Sequence, residues 1–422
     1  ILLILSIFSA MKKIIYLILA MVIICSNLTG QVNYSNDIIK IGAERTDQYI
    51  PKLEGKRVAL IANQTSVIGE THLLDSLVRR GINIVKVFGP EHGFRGNASN
   101  GTAVGDEVDA NTGVKIVSLY GNKRKPTKDD LADVDILVYD IQDVGCRFYT
   151  NINVLRDVMQ SAAENGKEML ILDRPNPIGG QKVEGNITED DCISFVSQFK
   201  IPYIYGLTCG ELALMLNDNL QADKRCNLEV IKMKGWKRKM NYMDTGLQWI
   251  PSSPHIPQPV TSYFYPVSGI LGELGYMSIG VGYTIPFQMF AAPWVEAHEL
   301  SERLNNLQLP GVIFRPIYLK PFYSVGKDEN LQGVQVHIVD YNKAALSDIQ
   351  FLVMQEVAAL YPDRAVFDHA NKDRFNMFDK VAGSKHIREK FSERNQWSDI
   401  KDYWYKDVND FKQLSKKYYL YN

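Results

Sequence analysis

The sequence predicts an α/β fold, in which a Rossmann-like parallel sheet domain is followed by a second, smaller α+β domain. From Lys56 to about Met233, short β-branched runs alternate with amphipathic stretches, and the runs are nearly all apolar, as in strands covered on both faces. Mixed helix and strand patterns replace this alternation in the second half. We therefore expect an export segment at 1–31, a Rossmann-like domain at 36–258 and an α+β domain at 259–422 that closes a cleft.

Five runs predict the parallel strands: RVALIA (57–62), INIVKVF (82–88), VKIVSLY (114–120), DILVYD (135–140) and EMLILD (168–173). Apolar residues at helical spacing predict helices in THLLDSLVRRG and in the stretch after DILVYD, which end at Gly81 and Gly166. In TCGE, Thr208 and Glu211 have the spacing of a capping box that begins a further helix.

In the second half of the chain, a few separate patterns predict helices, a strand and a crossing between the domains. The proline-rich passage Trp249 to Pro266 breaks the alternation and is expected to cross between the domains while lining the cleft. Helices are predicted near 295–306 and in 347–362, and GVQVHIVD (333–340) alternates like a half-buried strand. The aromatic C-terminal stretch is expected to be helical.

Composition excludes several classes of protein. The 422 residues include 47 Lys and Arg against 48 Asp and Glu, a formal charge of −1, so nothing favours nucleic acid or an anionic membrane as a partner. No G-x-S-x-G, P-loop or early G-x-G-x-x-G is present, which removes the usual support for a serine hydrolase, a nucleotidase or a dehydrogenase.

The N-terminal stretch predicts export. From Met11, a positive segment, an apolar segment and a polar exit follow one another, and the apolar part is too short for a spanning helix, so no stable membrane span is expected after processing. We expect the periplasm or cell envelope as the location. Cys25 is a weakly supported lipidation site, because Ile23 and Ile24 fit that processing badly.

The cysteines downstream of the export segment do not predict a metal site. Cys146, Cys192, Cys209 and Cys226 show no C-x-x-C spacing and no nearby histidine pair, so neither a metal nor an organic cofactor is expected. An oxidising compartment would permit one or two disulfides, and four buried thiols are the alternative.

Polar clusters follow all five predicted strands. Because ligands of open α/β sheets bind outside the carboxyl ends of the strands, these turns predict a cleft floor. In VFGPEHGFRG, Glu91 follows a Gly-Pro that ends a strand, which favours a general acid or base, with His92 and Arg95 beside it as substrate-binding residues. The structural alternative is a glutamate that only holds the turn.

The turn DIQDVGCRFYT supplies further candidates. Asp140 and Asp143 are candidates for a second catalytic carboxylate that would flank a glycosidic bond together with Glu91. A helix cap is the structural alternative for Asp140. Arg147, like Arg95, suits a planar two-bond grip on a substrate carboxylate, with a structural salt bridge as the alternative.

Other polar and aromatic residues are substrate-binding candidates. Turn chemistry is the alternative for Asp173, Asn176 and Glu184, and an aromatic core is the alternative for the aromatic residues. Aromatic faces at Tyr263, Phe264, Tyr265 and Tyr276 could stack on sugar rings. The polar candidates, with one further tyrosine, are Asn63, Asp173, Asn176, Glu184, Glu273 and Tyr283.

Taken together, GPEHGFRG, YDIQDVGCRFYT, LDRPNPIGG with VEG, TCGELA, MKGWKR, SPHIP and FDKVAGS resemble the exo-β-N-acetylmuramidases of the NamZ type. The resemblance extends from about Ile41 to Asn422. It implies a Rossmann-like catalytic domain with a smaller C-terminal domain, and release of N-acetylmuramic acid from the non-reducing ends of peptidoglycan fragments. It also implies that Glu91 is the catalytic residue of the PEHG turn.

The sequence departs from that family pattern at three places. Tyr203 to Gly206 replaces Arg-His-Gly, Gly280 to Tyr283 replaces Gly-Arg-Gly-Thr, and His255 stands where asparagine is usual. Two alternatives therefore stay open beside the muramidase: a non-catalytic glycan-binding protein of the envelope, and a glycosidase for another amino or acidic sugar.

Overall fold

A seven-stranded, mostly parallel sheet organises the first half of the chain in this computed structural model. The structure describes residues 39–91, 93–96, 107–121, 123–221 and 224–422. The predicted export segment and His92 lie outside the described residues, so the expectations for them stay predictions.

The helices and strands follow one another in the order α1 Thr46–Leu53, β1 Val58–Ala62, β2 Val67–Ile68, β3 Thr71–His72, α2 Leu73–Arg79, β4 Ile84–Gly89, β5 Glu107–Val108, β6 Lys115–Ser118, β7 Ile136–Asp140, α3 Asn151–Glu164, β8 Glu168–Leu172, α4 Cys209–Asp218, β9 Asn227–Ile231, α5 Thr261–Gly272, β10 Met289–Ala292, α6 Ala297–Asn306, β11 Val312–Leu319, β12 Leu331–Ile338, α7 Asp348–Leu360, α8 Val366–His369, α9 Phe375–Ala382, α10 Lys385–Arg394, α11 Lys401–Tyr405 and α12 Val408–Ser415.

The large sheet has the strand order β5-β6-β4-β1-β7-β8-β9. All of its pairings are parallel except that of the short edge strand β5 with β6. The five predicted strands are confirmed as β1, β4, β6, β7 and β8, with ends that shift by one or two residues. Strands β1 and β7 are buried throughout because apolar clusters cover both faces of the sheet.

The predicted capping box is also confirmed. Thr208 Oγ1 accepts a hydrogen bond from the Glu211 amide at 3.2 Å, and Glu211 Oε2 accepts one from the Thr208 amide at 3.1 Å. Two amide groups at the start of α4 are thereby satisfied, which begins the helix at the strand edge where the polar turns lie.

The second half contains an antiparallel sheet of order β10-β12-β11 surrounded by helices. The expected α+β character is confirmed. The proline-rich passage ends earlier than predicted, because α5 begins at Thr261 and contains Pro266. Residues 39–422 pack as one compact unit, and the boundary at 258/259 stays a prediction. Among the described residues, no helix is both long enough and apolar enough to cross a bilayer.

Candidate active site

A cavity of about 410 Å³ lies at the carboxyl edge of the parallel sheet. Glu91, after β4, and the segment Phe148 to Asn151, after β7, form its wall on the sheet side. Glu273, Val281 and Arg374 are among the residues that line it from the second half of the chain. Residues from both halves of the chain therefore line one cavity at the predicted edge, and closure of a cleft by a separate C-terminal domain stays a prediction.

Local backbone chemistry directs Glu91 toward this cavity. Strand β4 ends at Gly89, and Pro90 has no amide hydrogen with which to continue the ladder. Gly93 then adopts a positive φ of 78°, so the chain turns back within four residues. This tight turn leaves the half-buried Glu91 side chain at the cavity wall.

Two hydroxyl groups contact the Glu91 carboxylate. Thr150 Oγ1 donates to Glu91 Oε2 at 3.1 Å. The Tyr120 hydroxyl is the second contact, and the pKa of Tyr120 is raised by burial and then by the charge and hydrogen bond of Glu91. Tyr120 lies two residues after β6 and Thr150 directly precedes α3, so two separate segments of the chain hold this carboxylate.

Glu273 supplies a second carboxylate to the same cavity. It directly follows α5, and burial raises its pKa above the ordinary value, while the nearby Arg374 guanidinium acts in the opposite direction. The Arg374 Nη2 atom lies 3.3 Å from Glu273 Oε2. A carboxyl group whose pKa is raised by burial suits a proton donor.

Aromatic rings form an apolar part of the cavity. Phe148 stacks on Tyr265 with ring centroids 4.2 Å apart, and Phe287 meets Tyr265 edge-on at 4.9 Å. Gly269 makes this packing possible, because a Cβ there would lie 2.2 Å from the Phe148 ring. Flat apolar faces beside carboxylates are the surfaces on which the rings of a saccharide stack.

Two family models together match almost the whole described chain. The N-terminal model of the exo-β-N-acetylmuramidase NamZ matches residues 58–260, and the C-terminal model matches residues 263–421. The chain belongs to the NamZ family. The boundary between the two matches falls at the start of α5, next to the residues that line the cavity.

Relatives of known sequence or structure agree with this assignment. The chain is 40% identical over 377 residues to the peptidoglycan β-N-acetylmuramidase NamZ of Bacillus subtilis (strain 168), which covers 88% of this chain and 89% of that protein. A crystal structure of a DUF1343 family protein from Bacteroides fragilis NCTC 9343 is 65% identical with a TM-score of 0.88, and covers 92% of this chain and all of that one. A second such protein is 30% identical with a TM-score of 0.72, covering 91% and 99%.

Of the predicted catalytic residues, only Glu91 lines the cavity. Asp140 is fully buried at the end of β7, where Arg174 Nε and Nη2 donate to its two oxygens at 2.5 and 2.9 Å. Asp143 is buried too, accepts from the Gly145 amide at 2.7 Å and from the Tyr205 hydroxyl, and burial raises its pKa to about 6. These placements argue against either aspartate as the second carboxylate.

The two predicted carboxylate-binding arginines have structural partners instead. The fully buried Arg147 donates to four backbone carbonyl groups, two of them in the segment that precedes Gly383. Arg95 forks onto Asp75 and Asp109 at 2.9 to 3.2 Å. Neither guanidinium lines the cavity, which corrects the expectation that they grip the substrate.

The remaining polar candidates on the sheet side are satisfied within the protein. Asn63 accepts hydrogen bonds from the Thr65 amide and hydroxyl, and Asn176 donates to the Leu207 carbonyl and accepts from the Ile178 amide. Asp173 accepts from Thr208, Gly210 and Tyr421, and Glu184 accepts from the Leu346 and Ser347 amides before α7. None of these four side chains lines the cavity.

Among the candidates of the second half, the structure brings only Glu273 and Tyr265 to the cavity. Tyr283 packs against the cluster around Met289, away from the lining. Tyr263 and Phe264 belong to the buried core, which corresponds to the aromatic-core alternative.

The sequence analysis missed Tyr120, Thr150 and Arg374. Tyr120 lies in the polar turn after β6, and Thr150 lies in the turn DIQDVGCRFYT, but a hydroxyl group beside charged residues gave no separate signal in the sequence. Arg374 lies in a lysine- and arginine-rich surface segment. Its place at the cavity depends on the packing of α9 beside α5, which the sequence alone does not predict.

The described cysteines are four buried free thiols. This arrangement corresponds to the thiol alternative of the two that the sequence left open. Within the described ranges, no group of three or more His, Cys, Asp or Glu side chains is placed to hold a metal ion.

Proposed function

We propose that this chain is an exo-acting glycoside hydrolase that releases N-acetylmuramic acid from the non-reducing ends of peptidoglycan fragments. The observation that carries the proposal is that Glu91 and Glu273 line one cavity in a chain of the NamZ family. The 40% identity to a peptidoglycan β-N-acetylmuramidase over 88% of the chain supports the same substrate class.

Glycoside hydrolysis needs two carboxyl groups with different tasks. One protonates the leaving oxygen, and the other activates water or attacks the anomeric carbon. In our proposal Glu91 is one member of this pair and acts as general acid or base, and Glu273 is the other. The raised pKa of Glu273 suits the proton-donating task.

The surroundings of the two glutamates support a pyranose ring as the ligand. The stacked Phe148 and Tyr265 rings present an apolar face within the cavity, while Ser253 and Asn151 supply polar groups from the lining. A sugar has the same combination, because its C–H face is apolar and its edge carries hydroxyl groups.

The test is cleavage of a disaccharide with N-acetylmuramic acid at its non-reducing end. Wild-type protein is expected to release the monosaccharide, and Glu91→Gln is expected to lower kcat by about 10² to 10⁴ because it removes the ionisable group and keeps the shape. Glu393→Gln, at an exposed ion pair with Lys390, is the matched control and should keep wild-type activity.

Three results separate the proposals. Unchanged turnover in Glu91→Gln would remove Glu91 from the chemistry and leave the hydrolase proposal in place. Binding of the disaccharide by wild-type protein without release of sugar would favour the glycan-binding alternative. Cleavage of other amino-sugar or acidic-sugar glycosides in preference to the muramic acid disaccharide would favour a glycosidase for another sugar.

A further inference from the structure

Arg374 is the one arginine or lysine among the described residues that line the cavity. It stands at the end of a short 3₁₀ helix, Lys372–Arg374, directly before α9. Its side chain is 47% exposed, in contrast to the fully buried Arg147. A cation at this place faces the same space as the two glutamates.

The contacts of Arg374 are incomplete. Nε donates to the Glu273 backbone oxygen at 2.7 Å, and Nη2 donates to Glu273 Oε2 at 3.3 Å. No acceptor among the described residues contacts Nη1. The Nε bond anchors the guanidinium to the end of α5, while the other nitrogens keep donor capacity for a ligand that enters the cavity.

We propose that Arg374 is the residue that recognises the carboxylate of the substrate, the lactyl group of N-acetylmuramic acid. The inference rests on the proposed function and adds a specificity determinant to it. A guanidinium presents parallel N–H groups that match a carboxylate in a two-bond fork. It replaces Arg95 and Arg147, whose donors are engaged elsewhere.

The neighbouring Glu273 does not prevent Arg374 from binding the carboxylate of a substrate. Burial raises the pKa of Glu273, so its neutral form is more accessible than that of an exposed glutamate. In the neutral form it does not repel an incoming anion, and the weak 3.3 Å contact leaves Nη2 available to the ligand. The arrangement therefore favours an acidic sugar over its neutral analogue.

The test compares the calorimetric binding of N-acetylmuramic acid, whose lactyl group carries a negative charge, with that of its uncharged methyl ester, to the purified protein. Wild-type protein is expected to bind the acid at least tenfold more tightly, because only the acid offers an ionised acceptor to the guanidinium. Arg374→Gln should bind the two ligands alike, and Arg374→Lys should keep part of the preference. Arg364→Gln, a nearby exposed arginine outside the lining, is the matched control.

Each outcome bears on the proposal. Retained preference for the acid in folded Arg374→Gln, checked by circular dichroism, would overturn it, as would equal binding of both ligands by wild-type protein. Either result would leave the hydrolase proposal intact if the muramic acid disaccharide is still cleaved. Absence of both cleavage and binding in wild-type protein would overturn the proposed function and this inference together.

Discussion

Two sets of charged residues meet at the carboxyl edge of the sheet, and they differ in how completely the protein satisfies them. In the buried set, Arg174 forks onto Asp140, and Arg238 contacts both oxygens of Glu211 at 2.6 and 2.7 Å. These four side chains are at most 7% exposed. At the cavity wall, by contrast, charged groups keep solvent contact and unused hydrogen-bonding capacity.

The difference separates structural charges from candidate functional ones. Moving a charge out of water has a high free-energy cost, so a buried charge persists only with a full set of partners. Such a group has no capacity left for a substrate. Glu91 and Arg374 can change partners because their partners are few and water reaches them.

The largest effect should come from breaking a buried pair. Arg174→Met leaves the Asp140 carboxylate buried without its cation, and we expect the free energy of unfolding to fall by about 3 to 5 kcal/mol. The same change at the cavity, Arg374→Met, should cost less than about 1 kcal/mol, because that pair is half exposed. Urea unfolding monitored by tryptophan fluorescence measures both values. Equal losses in the two variants would contradict the comparison.

A second effect concerns pH. Burial raises the pKa of Asp143 to about 6 from an ordinary 3.8, so between these values the unfolded chain ionises first while the folded protein keeps its proton. Stability contributed by this group is therefore present below about pH 4 and is lost as pH rises through 6. The loss is on the order of 3 kcal/mol, since one pKa unit corresponds to about 1.4 kcal/mol.

Asp143→Asn is expected to remove this dependence. The difference in unfolding free energy between pH 4 and pH 7 should shrink relative to wild type, whereas Asp402→Asn, at an exposed aspartate, should leave it unchanged. Parallel stability curves for wild type and Asp143→Asn would show that burial of this carboxyl group does not control the pH response.

The sequence predicted the sheet well because the signals of strands and caps are local. Short, nearly continuous apolar runs predicted β1, β4, β6, β7 and β8. The three-residue spacing of Thr208 and Glu211 predicted the capping box of α4. The location of the cleft followed from a general property of parallel sheets. Glu91 was placed at the cavity because its turn directly follows a strand.

The roles of the other charged residues depend on contacts between distant segments. Arg147 holds the carbonyl groups of Val381 and Ala382, more than 200 positions away, and a Cβ at Gly383 would lie 2.4 Å from its Nη2. Two motifs that carry the family resemblance, YDIQDVGCRFYT and FDKVAGS, are thus partners of one another. No local pattern separates such an arginine from one that binds a substrate.

The smallest effect should arise from the hydroxyl groups that orient Glu91. Tyr120→Phe removes one contact with the carboxylate, and we expect kcat to fall roughly tenfold, at the lower end of what a hydrogen bond to a charged group contributes. Thr150→Val should behave alike, since it removes the 3.1 Å bond. Tyr318→Phe, at a tyrosine that is 57% exposed on β11, is the control and should have no effect.

These hydroxyl groups are positioning residues, so their effect should depend on the residue that they position. In a Glu91→Gln background, Tyr120→Phe should lower the residual activity far less than it does in wild type, because the carboxyl group that Tyr120 orients is already gone. Initial rates for the four proteins of this double-mutant cycle give the coupling free energy directly. Full additivity would mean that Tyr120 acts independently of Glu91. The hydroxyl contacts would then not be what prepares Glu91 for catalysis, and the contrast with the buried charged pairs would rest on exposure alone.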